Sequence, residues 1–460
     1  MCGVFGIYAP ERDIARLTYF GLYALQHRGQ ESAGIATSES GQLVTLRDMG
    51  LVAQVFNEER LQGLGGEAAI GHCRYSTTGS THWANAQPIV QHGKVRSVAL
   101  GHNGNLTNTA QLREQLLERG VRFDSTSDTE VIAALIAHDD RPLDEAITAT
   151  MAEIRGAFSA VVLSEGKLVG FRDPDGIRPL ALGRLGDDWL LSSENCAFDL
   201  LGAETVRELD PGEAVVIDER GCRSLEAPRS SSESLCIFEY IYFARPDSRL
   251  GQVELHGARV RMGELLAQEA PVEADIVMPI PDSGTPAAIG FARESGIPYM
   301  EGLIKNRYVG RTFIQPAQAM RDQGIRAKFN PLGEIAGQRV AVVDDSIVRG
   351  STTSQIVTML FDAGATEVHV RISSPPIVSP CFYGIDMADQ SELIAAGREV
   401  DDVREQIGAT SLAYLSLEGL QSATEQPTTS VCRACLTGEY PTPIPDDLKL
   451  RKLRFEPTPA

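Results

Sequence analysis

Cysteine is scarce in this chain, eight residues in 460, which excludes a fold held together by disulfides. Long apolar runs are missing too. The richest, such as AVV at 341–343 and IVMPI at 276–280, are strand-length and end in charge or proline, so no membrane span is expected. The N-terminus, Met1-Cys2-Gly3-Val4-Phe5-Gly6, lacks the basic region and apolar core of a secretion signal, and a reducing cytoplasm is the expected compartment. Positive charge is short: 42 Lys and Arg face 62 Asp and Glu, a formal charge of −20. Such a surface repels polyanions on average, which argues against nucleic-acid and anionic-membrane partners and leaves only local basic pockets.

With 43% hydrophobic and 23% charged residues the composition is that of an ordinary globular protein. Its length allows roughly two or three domains of about 150 residues. From residue 2 to about 230, short β-rich runs alternate with Gly, Asn and Asp turns: CGVFGIY (2–8), AGIATS (33–38), QLVTLR (42–47), EAAIGHCRYS (67–76), VRSVALGHNG (95–104), AFSAVVLS (157–164), KLVGFRD (167–173) and EAVVID (213–218). A helix is expected over 128–140, capped from Ser125, Thr126 or Ser127. The polar, Ser-rich stretch 224–234 reads as a linker. Beyond it, over 235–445, apolar runs alternate with Gly- and Ser-rich turns and helices, as in 272–296 and 338–374, which predicts a parallel sheet covered by helices. Residues 446–460 form a basic, Pro-containing tail.

Cys2 follows the initiator methionine. Removal of Met1 would give one residue both a thiol and an α-amine, whose ordinary pKa near 7.7–8.0 suits it to take the thiol proton. A small hydrophobe packed in a strand is the alternative reading. The surrounding motifs, MCGVFGIY, LQHRGQESAGIA (25–36), GHCRYSTTG (71–79), NAQP (85–88), GHNGNLTN (101–108) and STSDTEVI (125–132), resemble those of the N-terminal-nucleophile glutamine amidotransferases. The resemblance implies a four-layer αββα fold and attack by Cys2 on the amide of glutamine. It further implies an oxyanion hole from Asn103 and the backbone N–H of Gly104, Arg74 on the substrate α-carboxylate and Asp128 on its α-ammonium. His27 and His102 read as structural or positioning residues.

VAVVDDSIVRGSTT (340–353) runs from an apolar strand through two acids into a Gly- and hydroxyl-containing turn and a helix start. Backbone N–H groups there suit a phosphate, and Asp344 and Asp345 suit ribose hydroxyls or hydrated Mg²⁺; a generic strand–turn–helix is the alternative. The segment resembles the phosphoribosyl pyrophosphate motif of type I phosphoribosyltransferases. That implies substrate binding by Ser346, Ile347, Val348, Arg349, Gly350, Ser351 and Thr352. MPIPDSGTP (278–286) resembles their pyrophosphate loop, with Ser283 a further Mg²⁺ contact. The locally basic stretch 301–324, with Lys305, Arg307, Gly310 and Arg311, reads as a flap over the pyrophosphate. Together the two halves imply transfer of the glutamine amide nitrogen to phosphoribosyl pyrophosphate, giving 5-phosphoribosylamine, in a homotetramer subject to purine nucleotide feedback.

Cys432 and Cys435 form a C-x-x-C pair, with Cys236 and Cys381 standing apart. The spacing alone fits zinc, iron–sulfur or redox use. An iron–sulfur branch of the enzymes that join these two halves places its ligands in the same contexts, which implies a [4Fe–4S] cluster on Cys236, Cys381, Cys432 and Cys435. Two other functions compete. A non-catalytic nucleotide sensor has no need of Cys2, and an amidotransferase for sugar or asparagine synthesis has no need of the 340–353 motif.

Overall fold

The computed structural model describes residues 1–76, 80–225, 233–306, 326–387, 389–427 and 430–445. The tail at 446–460, the flap residues 307–325 with Arg311, and 226–232 of the expected linker lie outside them.

In the first half, seven strands form one antiparallel sheet in the order Glu204–Glu208, Ala181–Leu185, Asp188–Ser192, Gly3–Tyr8, Ala68–Arg74, Ser32–Glu39, Gln42–Met49. Six more form a second, in the order Gly221–Leu225, Ala214–Asp218, Lys167–Arg172, Gly156–Ser164, Ser97–Leu106, Ile89–His92. Both faces of the central strands are apolar because each sheet is covered twice. Val4, Ile70, Val161, Leu168 and Leu191 pack between the sheets. Ile14–Ala24 and Cys196–Leu201 cover the outer face of the first sheet. Thr109–Glu118, Asp128–Ala137 and Leu143–Glu153 cover that of the second. The layers therefore run helix, sheet, sheet, helix, as expected.

The expected linker begins too early: Ser224 and Leu225 still pair with Val215 and Ala214 at the edge of the second sheet. The expected helix over 128–140 ends at Ala137.

In the second half, Ile276–Pro279, Arg339–Asp344, Glu367–Ile372 and Ser411–Tyr414 form a parallel sheet in that order. The helices Thr285–Ser295 and Ser351–Asp362 follow the first two strands, which places both expected phosphate-binding turns at the carboxyl end of the sheet. The halves share one core: Met1, Ala157 and Ile177 pack with Ile237, Phe238, Tyr383 and Ile385. Backbone bonds from Ser234 N to Asp175 O (2.6 Å) and Cys236 N to Ile177 O (3.1 Å) lay the second half directly against the first.

Candidate active sites

The antiparallel register of Gly3–Tyr8 on Ala68–Arg74 sets Gly3 opposite Cys73, so Cys2 begins its strand beside Arg74 and Tyr75. Its backbone nitrogen, the atom that Met1 removal would turn into the α-amine, donates to Asn103 Oδ1 at 3.2 Å. The thiol lies 3.5 Å from both the N–H and the carbonyl of Tyr75. Burial raises the Cys2 pKa, while the N-terminal ammonium, the Tyr75 backbone and Arg74 pull the other way. A base at hydrogen-bonding range is therefore required for ionisation.

Asn103 is fully buried, and among the described residues its amide nitrogen has no hydrogen-bond partner. A buried, unsatisfied donor beside a nucleophile is costly unless charge arrives there during the reaction. Gly104 follows at φ +147°, in the left-handed half of backbone space.

Arg74 is buried, with Nη1 donating to Glu31 Oε1 (2.6 Å) and to the carbonyl of Ser80 (3.1 Å). Glu31 also accepts from Ser76 N at 3.1 Å, fixing the chain just after Arg74. Asp128 opens the helix Asp128–Ala137, capped by Ser127, and accepts from Leu106 N at 3.0 Å. His102 Nδ1 lies 3.9 Å from Asp128, and burial lowers the His102 pKa; His72, also buried, falls to about 3. Burial thus disfavours charge on both rings, which pack as polar supports. Thr77, Thr78 and Gly79 of the 71–79 motif lie outside the described residues.

At the second site Asp344 closes its strand and Asp345 opens the turn. Asp345 N donates to Asp344 Oδ1 (2.9 Å) and Ser346 Oγ to Asp345 Oδ1 (2.7 Å). Burial, then the neighbouring acid, raises Asp344 well above the usual carboxylate range; burial also raises Asp345, against a hydrogen bond from Ser283. Two adjacent carboxylates, Asp345 buried and Asp344 half-buried, suit a divalent cation. The Ile347 side chain is buried in the core and Val348 is half-buried, so these two offer only backbone to a ligand. Arg349 is held by Glu392 through Nε (3.0 Å). Gly350, at φ +76°, turns the chain into Ser351–Asp362, leaving Ser351 and Thr352 exposed on the first turn. Lys305 Nζ bonds Asp282 in the neighbouring loop at 2.5 Å. Burial works against the Arg349 cation, and Glu392 more than offsets it and holds the charge.

A family model described as "Glutamine amidotransferase domain" matches residues 72–199. An amidophosphoribosyltransferase of Synechocystis sp. is 54% identical, covering 99% of this chain and 94% of its own. The glutamine phosphoribosylpyrophosphate amidotransferase of B. subtilis, solved with ADP and GMP, superposes with a TM-score of 0.91 at 47% identity, covering 97% of this chain and 98% of its own. A second solved structure, described as the allosteric regulatory enzyme of purine biosynthesis, gives 0.91 and 47% with 97% of each chain covered.

The chain belongs to the amidophosphoribosyltransferases. Like other amidophosphoribosyltransferases it joins an N-terminal-nucleophile glutaminase to a type I phosphoribosyltransferase. It uses glutamine to convert phosphoribosyl pyrophosphate to 5-phosphoribosylamine, the first step of purine biosynthesis. The sensor and the sugar or asparagine amidotransferase readings are thereby set aside.

One feature of this amidophosphoribosyltransferase escaped sequence reasoning. Arg28, fully buried, donates from Nε to the Cys2 carbonyl (2.9 Å), from Nη1 to Glu194 (2.5 Å) and from Nη2 to Glu239 (2.7 Å). Glu194 also meets His27 (2.7 Å), Ser248 Oγ (2.7 Å) and Arg245 N (2.9 Å). Arg28 and Glu31 stand within LQHRGQESAGIA, so the motif marked the place without the role.

The four expected ligand cysteines come together from three segments. Cys236 is in register with Cys432 on the parallel pair Leu235–Cys236 and Val431–Cys432, Cys435 follows three residues on, and Cys381 joins from a loop. That loop is anchored by Val378 N and Ser379 N on the carbonyl of Cys435. All four are buried. Burial lifts Cys236 to about 11 and raises Cys432 and Cys435, whose thiols also feel the others' charge. Among the described residues no three His, Cys, Asp or Glu side chains are set to hold a single metal ion. A polynuclear cluster takes one thiolate per iron and spans a wider set, which four buried thiols drawn from three segments fit.

Proposed function

We propose the following division of labour among the residues of this amidophosphoribosyltransferase, resting chiefly on the buried Asn103 amide poised at Cys2. Residues 2–230 form the glutaminase and 235–445 the phosphoribosyltransferase. After Met1 is removed, the α-amine of Cys2, held by Asn103 Oδ1, takes the thiol proton. The sulfur attacks the amide carbon of glutamine. The resulting oxyanion is stabilised by Asn103 Nδ2 and the Gly104 N–H. The α-ammonium returns its proton to the leaving nitrogen, ammonia departs, and water hydrolyses the thioester to glutamate and free thiol. Arg74, oriented by Glu31, takes the substrate α-carboxylate and Asp128 its α-ammonium.

At the second site the turn 346–352 cradles the 5-phosphate with backbone N–H groups and the helix start, while Lys305, with Arg311, attends the pyrophosphate. Asp344, Asp345 and Ser283 would hold Mg²⁺ together with oxygens of the substrate, and the ion when bound neutralises the departing pyrophosphate. Ammonia attacks C1 of the ribose as the C–O bond to pyrophosphate breaks. Cys236, Cys381, Cys432 and Cys435 would carry a [4Fe–4S] cluster, whose role is structural or oxygen-sensing, since no step is a redox step. The B. subtilis relative's bound ADP and GMP support purine nucleotides as feedback ligands. A homotetramer in the cytoplasm completes the reading; no helix among the described residues is long and apolar enough to cross a membrane.

The test is an acid quench during turnover of glutamine. The peptide bearing Cys2 should carry a glutamyl adduct in processed protein and none in protein retaining Met1. An adduct at another cysteine would overturn the assignment.

A further inference from the structure

We propose that Gly384, in the phosphoribosyl half, is a positioning residue for the oxyanion hole of the glutaminase half. The inference rests on the reading of Asn103 and Gly104 given above and adds what holds them in place. Three consecutive residues of one loop each meet the glutaminase. The Phe382 carbonyl accepts from Asn105 Nδ2 at 3.1 Å. The Tyr383 carbonyl accepts from Arg178 Nε at 2.8 Å. Gly384 has its backbone packed so closely on Gly104 that a Cβ built on it would lie 2.9 Å from the carbonyl carbon, 3.0 Å from the oxygen and 3.1 Å from the Cα of Gly104.

Gly104 is equally confined on its other side, where an added Cβ would lie 2.0 Å from the carbonyl oxygen of Ala157 in the strand Gly156–Ser164. Gly104 is thus held between the strand Gly156–Ser164 and a loop from the other half. Gly384 sits at φ +104°, a conformation in which only glycine is unstrained, so both its contact and its backbone angle require the missing side chain. The loop is itself fastened at its back: Tyr383 Oη bonds Thr442 Oγ1 (2.8 Å) and Tyr440 Oη donates to the Pro380 carbonyl (2.7 Å). Oxyanion donors work because they are set before charge develops, and packing on the Cα and carbonyl of Gly104, one bond from its donor N–H, supplies that setting.

The experiment uses the full-length chain with Met1 removed, as wild type, Gly384→Ala, Asn105→Ala and Asn103→Ala. In Gly384→Ala, kcat for glutamine hydrolysis should fall about tenfold or more while KM for glutamine moves less than about twofold. Alkylation of Cys2 by iodoacetamide should keep its wild-type rate, because displacement at a saturated carbon forms no oxyanion. Ammonia-dependent synthesis should also be retained. Asn105→Ala, which removes the bond to the Phe382 carbonyl without adding strain, should shift kcat in the same direction by a smaller factor, and it decides the matter if Gly384→Ala does not fold. Unchanged kcat, or equal loss of glutamine- and ammonia-dependent activity, would overturn the role of Gly384. Wild-type kcat in Asn103→Ala would instead overturn the oxyanion reading beneath it.

Discussion

Arg28 donates to the carbonyl oxygen of Cys2 at 2.9 Å. Its remaining nitrogens hold Glu194 of the glutaminase and Glu239 of the phosphoribosyl half, so the nucleophile is tied to both through one guanidinium. Glu239 starts the π-helical turn Glu239–Phe243, three residues after Cys236. A change in how the halves sit would therefore reach Cys2, the proposed nucleophile, through this guanidinium.

Arg28→Ala removes the cation shared by two buried carboxylates, leaving Glu194 with His27 and Glu239 with Arg178 at 3.8 Å. The expected cost is about 3–5 kcal/mol, read as a large drop in melting temperature, with glutaminase lost first. Arg28→Lys keeps the charge but not the fork and should recover stability only in part. A melting temperature within experimental error of wild type in Arg28→Ala would show that the network carries little.

Glu194 supplies a pH dependence. Burial works against its charge, but His27 and Arg28 more than offset this and hold the carboxyl well below the usual range. A depressed folded pKa means that the contribution is complete above the unfolded value, about 4.3, and is lost as pH falls toward the folded value. The melting-temperature gap between wild type and Glu194→Gln should shrink as pH falls below about 4.5. A gap that widens into acid would contradict the assignment.

Much of both candidate sites was legible because the residues stand on or beside strands: Cys2, Arg74 and Asp344–Asp345 fall at strand ends, and Asn103–Gly104 within the strand Ser97–Leu106 at an Asn-Gly pair. Arg28 with Glu239 was not, since 211 residues separate the partners and no local pattern links them. Gly384 was equally silent; a glycine needed for a contact between halves looks in sequence like any turn glycine. Edge strands also escaped notice. Glu204–Glu208 has little burial and so no alternation to read. The linker was placed early for a similar reason, because the partly exposed edge strand Gly221–Leu225 reads as polar coil.

Asp344→Asn or Asp345→Asn should impair synthesis from glutamine and from ammonia alike, by roughly 10–100-fold, because the defect lies at the ribosyl centre. Measuring pyrophosphate release with each nitrogen donor distinguishes this from a glutaminase defect. Loss confined to glutamine would mean that the acids serve the other site.

For the four cysteines, protein purified without oxygen should be brown and contain iron and acid-labile sulfide, and Cys432→Ser should lose both together with much of its thermal stability. Stoichiometric zinc in place of iron would overturn the cluster.

The most direct test of the two-site account is Cys2→Ala, assayed for 5-phosphoribosylamine with glutamine and, separately, with ammonia. Removing the thiol removes only the thioester step. Glutamine-dependent synthesis should disappear while ammonia-dependent synthesis continues near the wild-type rate. Glutamine-dependent turnover that survives in Cys2→Ala, or ammonia-dependent synthesis that vanishes with it in a folded protein, would contradict the account.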